Sequence, residues 1–515
     1  MWSRVILGVA GLAVVCGTDC AISADERMTS RELAQWIDAR FSRQWKAESL
    51  QPPPLVDDAT FMRRAYLDLI GSVPSVPQVL DFTTSDRSFK REALIEQLLS
   101  DDRRPEQYAD HSARHLARIW RRAMIPKSSP GAASARQFDP WLETQFAENV
   151  PYDEFARRIL TTPVSAGRPQ RPGVARPAAT PAIYLRAVGG TPVVIADASA
   201  RFFLGVRIGC AQCHNHPFSD WTQEDLWGMA AFFSNSQTNG QLPRINDGER
   251  QTYVARFLWQ GKPVITAEQS PRDVLANWMV SAENPNFSAT AVNRIWQHLC
   301  GGGLVESVDD LEDVSPEERA VLDELARLFT NAGFDTRWLI SGICQSRYYR
   351  RVSIAVNGGI GTSLRPLKTL TPEQMFDSLE QVLSLPIGQI DNGPRYNGLR
   401  EAFVARMDEA AGESPDEFLA GIPQALMIMN GKVTATATDL ETSRTLRAVV
   451  DAPFLRPEKK IEILYLAAFT RPPTEKELKF LQTHLDSQKD DESREKAYGS
   501  IFWSLLNSPE FVLSR

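Results

Sequence analysis

Cysteine is scarce: six residues in 515, two of which, Cys16 and Cys20, fall in the first 24 positions. The remaining four, Cys210, Cys213, Cys300 and Cys344, are too few to staple so long a chain, which excludes a disulfide-built scaffold. Histidine is equally sparse, with six residues. No apolar run beyond the N-terminus is long enough to cross a bilayer, so no membrane span is expected once the leader is removed. Positive charge is not concentrated either. Lys and Arg total 57 against 64 Asp and Glu, a net charge of -7, with no basic block dense enough to follow a phosphate backbone, so nucleic acid is excluded as a partner. There is no phosphate-binding glycine loop, no H-E-x-x-H pair and no nucleophile elbow. Internal repeats and a regular alternation of strands and helices are also missing.

What is present begins with Arg4, the apolar run Val5 to Val15 and small residues ending at Ala24. That pattern predicts a signal peptide over residues 1–24 and an exported protein of the periplasm or cell envelope, with a retained membrane anchor as the alternative. Neither Cys16 nor Cys20 follows the small residue a lipoprotein site prefers. Hydrophobic residues at 43% and charged residues at 23% are a globular balance, and the length calls for more than one domain.

The predicted fold class is mainly α, a multi-helical two-domain protein with long loops and little β structure. Helices are expected from Asp58 to Leu69 with Thr60 as cap, from Ser88 to Leu99, from Glu106 toward Met124, and from Ile195 to a left-handed cap at Gly209. Another starts at Thr222. Further helices cover Ala289 to Leu299, Glu317 to Asn331 and the stretch from Pro457, and Thr474 with Glu477 makes a capping box. Residues 163–181, rich in proline, read as a long exposed loop, and Thr252 to Trp259 as a short strand. A polar stretch after Ser234 separates a first domain, residues 25–255, from a second, residues 271–515.

The chemistry is concentrated in Cys210-Ala211-Gln212-Cys213-His214, between two predicted helices. In a C-x-x-C-H sequence the two thiols can add across the vinyl groups of a haem while the imidazole ligates its iron. With six Cys and six His, chance would place this pattern on the order of once in a thousand such chains, so it calls for a cause. Cys210, Cys213 and His214 are therefore the expected sites of a covalent haem c. His216 opens an alternative, because His214 and His216 with the two thiols could hold zinc or iron. A plain disulfide between Cys210 and Cys213 is the third reading. His111 and His115, four apart on a helix, could face one site, although packing is the commoner use. Met229 reads as core, and His298 and His484 have no neighbouring ligand pattern. The acidic run Glu306, Asp309, Asp310, Glu312 and Asp313 reads as a solvated face rather than a cation site. A disulfide between Cys300 and Cys344 is possible in type and undecided in geometry.

Several ordered blocks carry a family resemblance. They are Val56 to Phe61, Arg63-Arg64-Ala65-Tyr66-Leu67-Asp68-Leu69, Phe203-Leu204-Gly205-Val206, and Cys210 to Phe218. Later blocks are Val292-Asn293-Arg294-Ile295-Trp296, Gly303-Leu304-Val305-Glu306, Arg471-Pro472 and Leu505 to Phe511. On these the chain resembles planctomycete cytochrome-c-like proteins, in which a second-type cytochrome-like domain precedes a planctomycete domain of unknown function. Asn215 stands where that family usually has Asp. The family's cytochrome-like label leans on the same cysteine motif, so the expected haem binding and redox or electron-transfer role, with an unknown redox partner, rest on Cys210 to His214. The resemblance implies a link to exported sulfatase-like proteins and polysaccharide processing. A non-haem metal-binding or structural envelope protein is the competing class, and an enzyme acting on glycans is a third.

Overall fold

Short polar side chains set the helix starts. In a computed structural model the described residues are 28–99, 109–163, 180–216, 219–234, 241–248, 251–312, 314–354, 364–383, 394–409, 439–440 and 443–514. The expected leader thus lies outside the described residues, as do positions 164–179 of the proline-rich loop. Thr29, Thr222, Ser315 and Thr474 each close a capping box, the last as the sequence predicts. The helix Asp58–Leu69 has the expected span but a different cap. Asp57, in extended backbone, accepts from the Thr60 N–H at 2.7 Å, which places Thr60 inside the first turn.

Helix dominates, and strand among the described residues is confined to two short antiparallel pairs, Arg244–Asn246 with Thr252–Val254 and Lys368–Thr369 with Leu513–Ser514. No single described helix is long and apolar enough to cross a membrane. The expected helices recur as Lys90–Leu99, Ala109–Met124, Pro285–Cys300, Pro316–Asn331 and Pro457–Phe469.

Apolar side chains gather in two cores. The larger takes residues from Leu33 to Tyr349 together with Leu466, so it draws on both sides of residues 255–271, and Leu275, Val292, Leu325 and Ile343 belong to it as fully as Phe61 and Phe202 do. The smaller runs from Leu370 to Phe511 and also holds Leu67 and Val73. The helix Asp58–Leu69 therefore serves both. Phe61, Met62, Ala65, Tyr66 and Leu69 pack in the larger core, while Leu67 packs in the smaller. Arg63 on the same helix donates to the Ala468 and Phe511 carbonyls, each at 2.8 Å.

Candidate functional site

The cysteine motif is positioned by a helix that stops earlier than its sequence suggests. The helix Pro192–Ser199 widens into a single π turn, Ala200–Leu204. Gly205, not Gly209, takes the left-handed cap at φ +62°, and the Leu311 N–H donates to its carbonyl at 2.8 Å. A Cβ at Gly205 would lie 2.8 Å from Thr290 Oγ1 and 2.9 Å from Leu311 Cγ, so close approach fixes glycine there. Gly209 instead opens a 3-10 turn, Gly209–Gln212. Its missing side chain leaves room for the Asp197 carboxylate, which receives hydrogen bonds from the Gly209 and Ile208 N–H groups. Burial raises the Asp197 pKa, against the pull of Arg201 and these donors.

Ala211 anchors the turn in the core, while Cys210, Cys213 and His214 are exposed and His216 is half-buried. Both motif cysteines are free thiols, so the Cys210–Cys213 disulfide is not formed in this structure. His214 Nδ1 lies 2.7 Å from the Asn215 carbonyl. With that nitrogen donating, the lone pair for a metal is on Nε2. The following helix, Gln223–Ala231, clamps the motif from the other side. Gln212 O accepts from Trp227 Nε1 at 3.1 Å, Asn215 Oδ1 from the Gln223 N–H at 3.1 Å, and Trp221 O from the His216 N–H at 2.8 Å. Asn215, the departure from the family pattern, thus acts as a brace between the motif and the helix start.

Two free thiols and an imidazole with its Nε2 lone pair available, all on one short exposed turn, fit covalent haem attachment. Among the described residues no three or more His, Cys, Asp or Glu side chains converge as a metal cage, so Cys210, Cys213, His214 and His216 are not gathered into one closed set.

The other expectations resolve individually. His111 is exposed and His115 buried, so this pair does not face one site. Met229 is fully buried in the larger core. His484 is exposed at the end of its helix. The acidic run is not merely a solvated face. Asp309 bonds Arg201 at 2.9 Å and Arg294 at 2.8 Å, which hold its carboxyl below its ordinary value despite burial, and Glu312 accepts from Trp221 Nε1. Asp313 lies outside the described residues. Cys300 and Cys344 are buried free thiols with no disulfide, and burial pushes the Cys300 thiol up to about 12.

Sequence reasoning missed a second concentration of polar chemistry, inside the protein. Asp68 is fully buried and accepts from Tyr349 Oη at 2.8 Å and from Lys368 Nζ, with Arg365 Nη2 at 3.7 Å. His298 Nε2 reaches the Asp68 carbonyl at 2.8 Å, and the His115 ring lies 5.6 Å from that of His298. Burial alone would raise the Asp68 pKa, but Lys368 and Arg365 outweigh it and hold the carboxyl low. Burial, then Lys368, depresses His298 to about 4, and burial takes His115 well below its ordinary value. Each charge here has a partner, as a buried network requires. The only sequence signal was the pair of arginines and the aspartate on an otherwise apolar helix face.

Residues 36–238 match the family model PSCyt2, a protein of unknown function (DUF1549), and residues 271–377 match PSD1, a protein of unknown function (DUF1553). No curated protein and no solved structure matches the chain. The first match contains the whole cysteine motif and the braces around it, and the second contains Cys300, Arg365 and Lys368. In order and content the chain therefore belongs to the planctomycete proteins of unknown function in which the cytochrome-like PSCyt2 domain precedes the PSD1 domain.

Proposed function

We propose that this is an exported protein carrying a c-type haem, bound covalently through Cys210 and Cys213 with His214 Nε2 as iron ligand, in a redox or electron-transfer role. The observation that carries the reading is the pairing of two free, exposed thiols with the His214 Nδ1 contact to the Asn215 carbonyl, which leaves Nε2 free. When bound, the haem supplies one-electron chemistry. The protein supplies two S–H groups that add across the two vinyl double bonds, each thiol proton going to the vinyl carbon that does not bond sulfur. Asn215, Gln223 and Trp227 keep the turn in register for this attachment. The setting of the motif on the surface favours exchange with an external redox partner over chemistry in a closed pocket. A connection to exported sulfatase-like proteins is part of the same proposal and rests on the family resemblance alone.

Coexpression with a cytochrome c maturation system tests it. The expected product has a haem absorption spectrum that survives acid-acetone extraction, is lost in the Cys210→Ser, Cys213→Ser double variant and survives in His216→Ala. Apoprotein with stoichiometric zinc or iron under the same conditions, lost on His216→Ala, would replace this reading with the non-haem metal one.

A further inference from the structure

The polar braces described above act on the motif from Gln212 onward, through Trp227, Gln223 and Trp221. The thiol at the other end, Cys210, follows two residues, Ile208 and Gly209, whose N–H groups both donate to one carboxylate, that of Asp197. Resting on the haem reading above, we propose that Asp197 is a positioning residue of the motif, fixing the backbone from which the Cys210 thiol meets its haem vinyl group.

Close approach is the first reason. A Cβ on Gly209 would lie 2.9 Å from Cγ and from both carboxylate oxygens of Asp197. The φ of Gly209 is not positive, so contact with the carboxylate, rather than backbone conformation, keeps a side chain off this position. Asp197 stands in the last turn of the helix Pro192–Ser199, just before the π turn Ala200–Leu204. That π turn and the left-handed Gly205 carry the chain back across the helix end, where Ile208 and Gly209 meet the carboxylate. Single π turns of this kind are frequent at functional sites.

Electrostatics is the second. Asp197 is half-buried, and burial is the largest influence on its carboxyl. Arg201 is the cation that acts on it most, yet its terminal N–H groups go elsewhere, to Asp309 at 2.9 Å and to the Ala123 and Met124 carbonyls at 3.0 and 3.2 Å. The direct compensation for a carboxylate drawn out of water is therefore the pair of motif N–H groups. Ile208 also closes the 3-10 turn, its carbonyl accepting from the N–H of the fully buried Ala211 at 2.9 Å. Cys210 thus lies between Gly209, pinned to Asp197, and Ala211, pinned to the core. Two thioether bonds to one rigid ring need both sulfurs in fixed places, and a misplacement of about 1 Å can cost a reaction about a hundredfold.

The full chain, made with and without a cytochrome c maturation system, tests this. In Asp197→Ala, amide hydrogen exchange at Ile208 and Gly209 should rise about tenfold or more, since hydrogen bonds to a charged group are lost. Peptide mass spectrometry should show the thioether at Cys210 depleted relative to that at Cys213. Asp197→Asn, which keeps one acceptor oxygen, should fall between. Gly209→Ala should reproduce the loss when Asp197 is present and add little in the Asp197→Ala background. Leu325→Ala, a truncation in the larger core, should lower the melting temperature and leave the ratio of the two thioethers unchanged. Unchanged exchange in Asp197→Ala, an equal loss of both thioethers, the same shift in Leu325→Ala, or a Gly209→Ala effect indifferent to residue 197 would each overturn the inference. An unaltered chain that takes no haem would end the haem reading instead. The exchange rates and the double variant need no haem and would still decide whether Asp197 sets the turn.

Discussion

His298 keeps a neutral imidazole in a place where a second proton is unwelcome, beside Lys368 and within reach of the Asp68 carbonyl. Its pKa of about 4 in the folded protein compares with about 6.5 in an unfolded chain. Between those values the unfolded state binds a proton that the folded state refuses. Stability therefore falls as pH drops from about 6.5 to about 4, by about 3 kcal/mol for this residue alone. Asp68 has the opposite character: its depressed pKa contributes stability above the ordinary carboxylate range, lost only in stronger acid. Thermal melts across pH 4–7 should show the first loss. His298→Gln, whose amide can still donate to the Asp68 carbonyl, should flatten the curve over that window. An unchanged slope in the variant would show that the proton is taken up elsewhere.

Among the elements, the stop after the π turn Ala200–Leu204 decides where the motif stands. Gly205→Ala would add a left-handed strain of about 1 kcal/mol and a Cβ crowded by Thr290 and Leu311, so a destabilisation of about 2–4 kcal/mol is expected in urea titration. Gly248→Ala is the control: it has a similar positive φ of +87° but nothing within 4 Å, and should cost only about 1 kcal/mol. The contrast also explains what the sequence could reveal. Caps such as Thr222 with Asp225, or Thr474 with Glu477, are satisfied within four residues and are legible locally. Cys210, Cys213 and His214 are legible for the same reason, because their spacing is their chemistry. The true cap at Gly205 depends on Thr290 and Leu311, and the His115–His298 contact joins segments far apart in the chain. No local pattern records such meetings. Asp57, three residues before Thr60, is the cap on a finer point, since only the backbone geometry chooses which short polar residue stands at the helix start.

Across the whole molecule, the two cores do not divide where the two family matches do. The larger core needs Leu275, Val292, Leu325 and Ile343 from beyond residue 271. A fragment ending at residue 255 should therefore fail to melt cooperatively, whereas one ending at residue 354, which keeps all of that core but Leu466, should show a cooperative transition at lower temperature than the full chain. Circular dichroism melts of the two fragments check this, and a sharp transition in the shorter one would refute it. The helix Asp58–Leu69 carries a further consequence through Arg63, whose guanidinium donates to a carbonyl 448 residues later in the chain. Synthesis runs from the N-terminus, so this helix is made long before its partners at Ala468 and Phe511. Contacts of such sequence separation form slowly, because a very long loop must close before they contribute. The surface that Leu67 and Arg63 present is therefore covered only once residues 370–511 have been made.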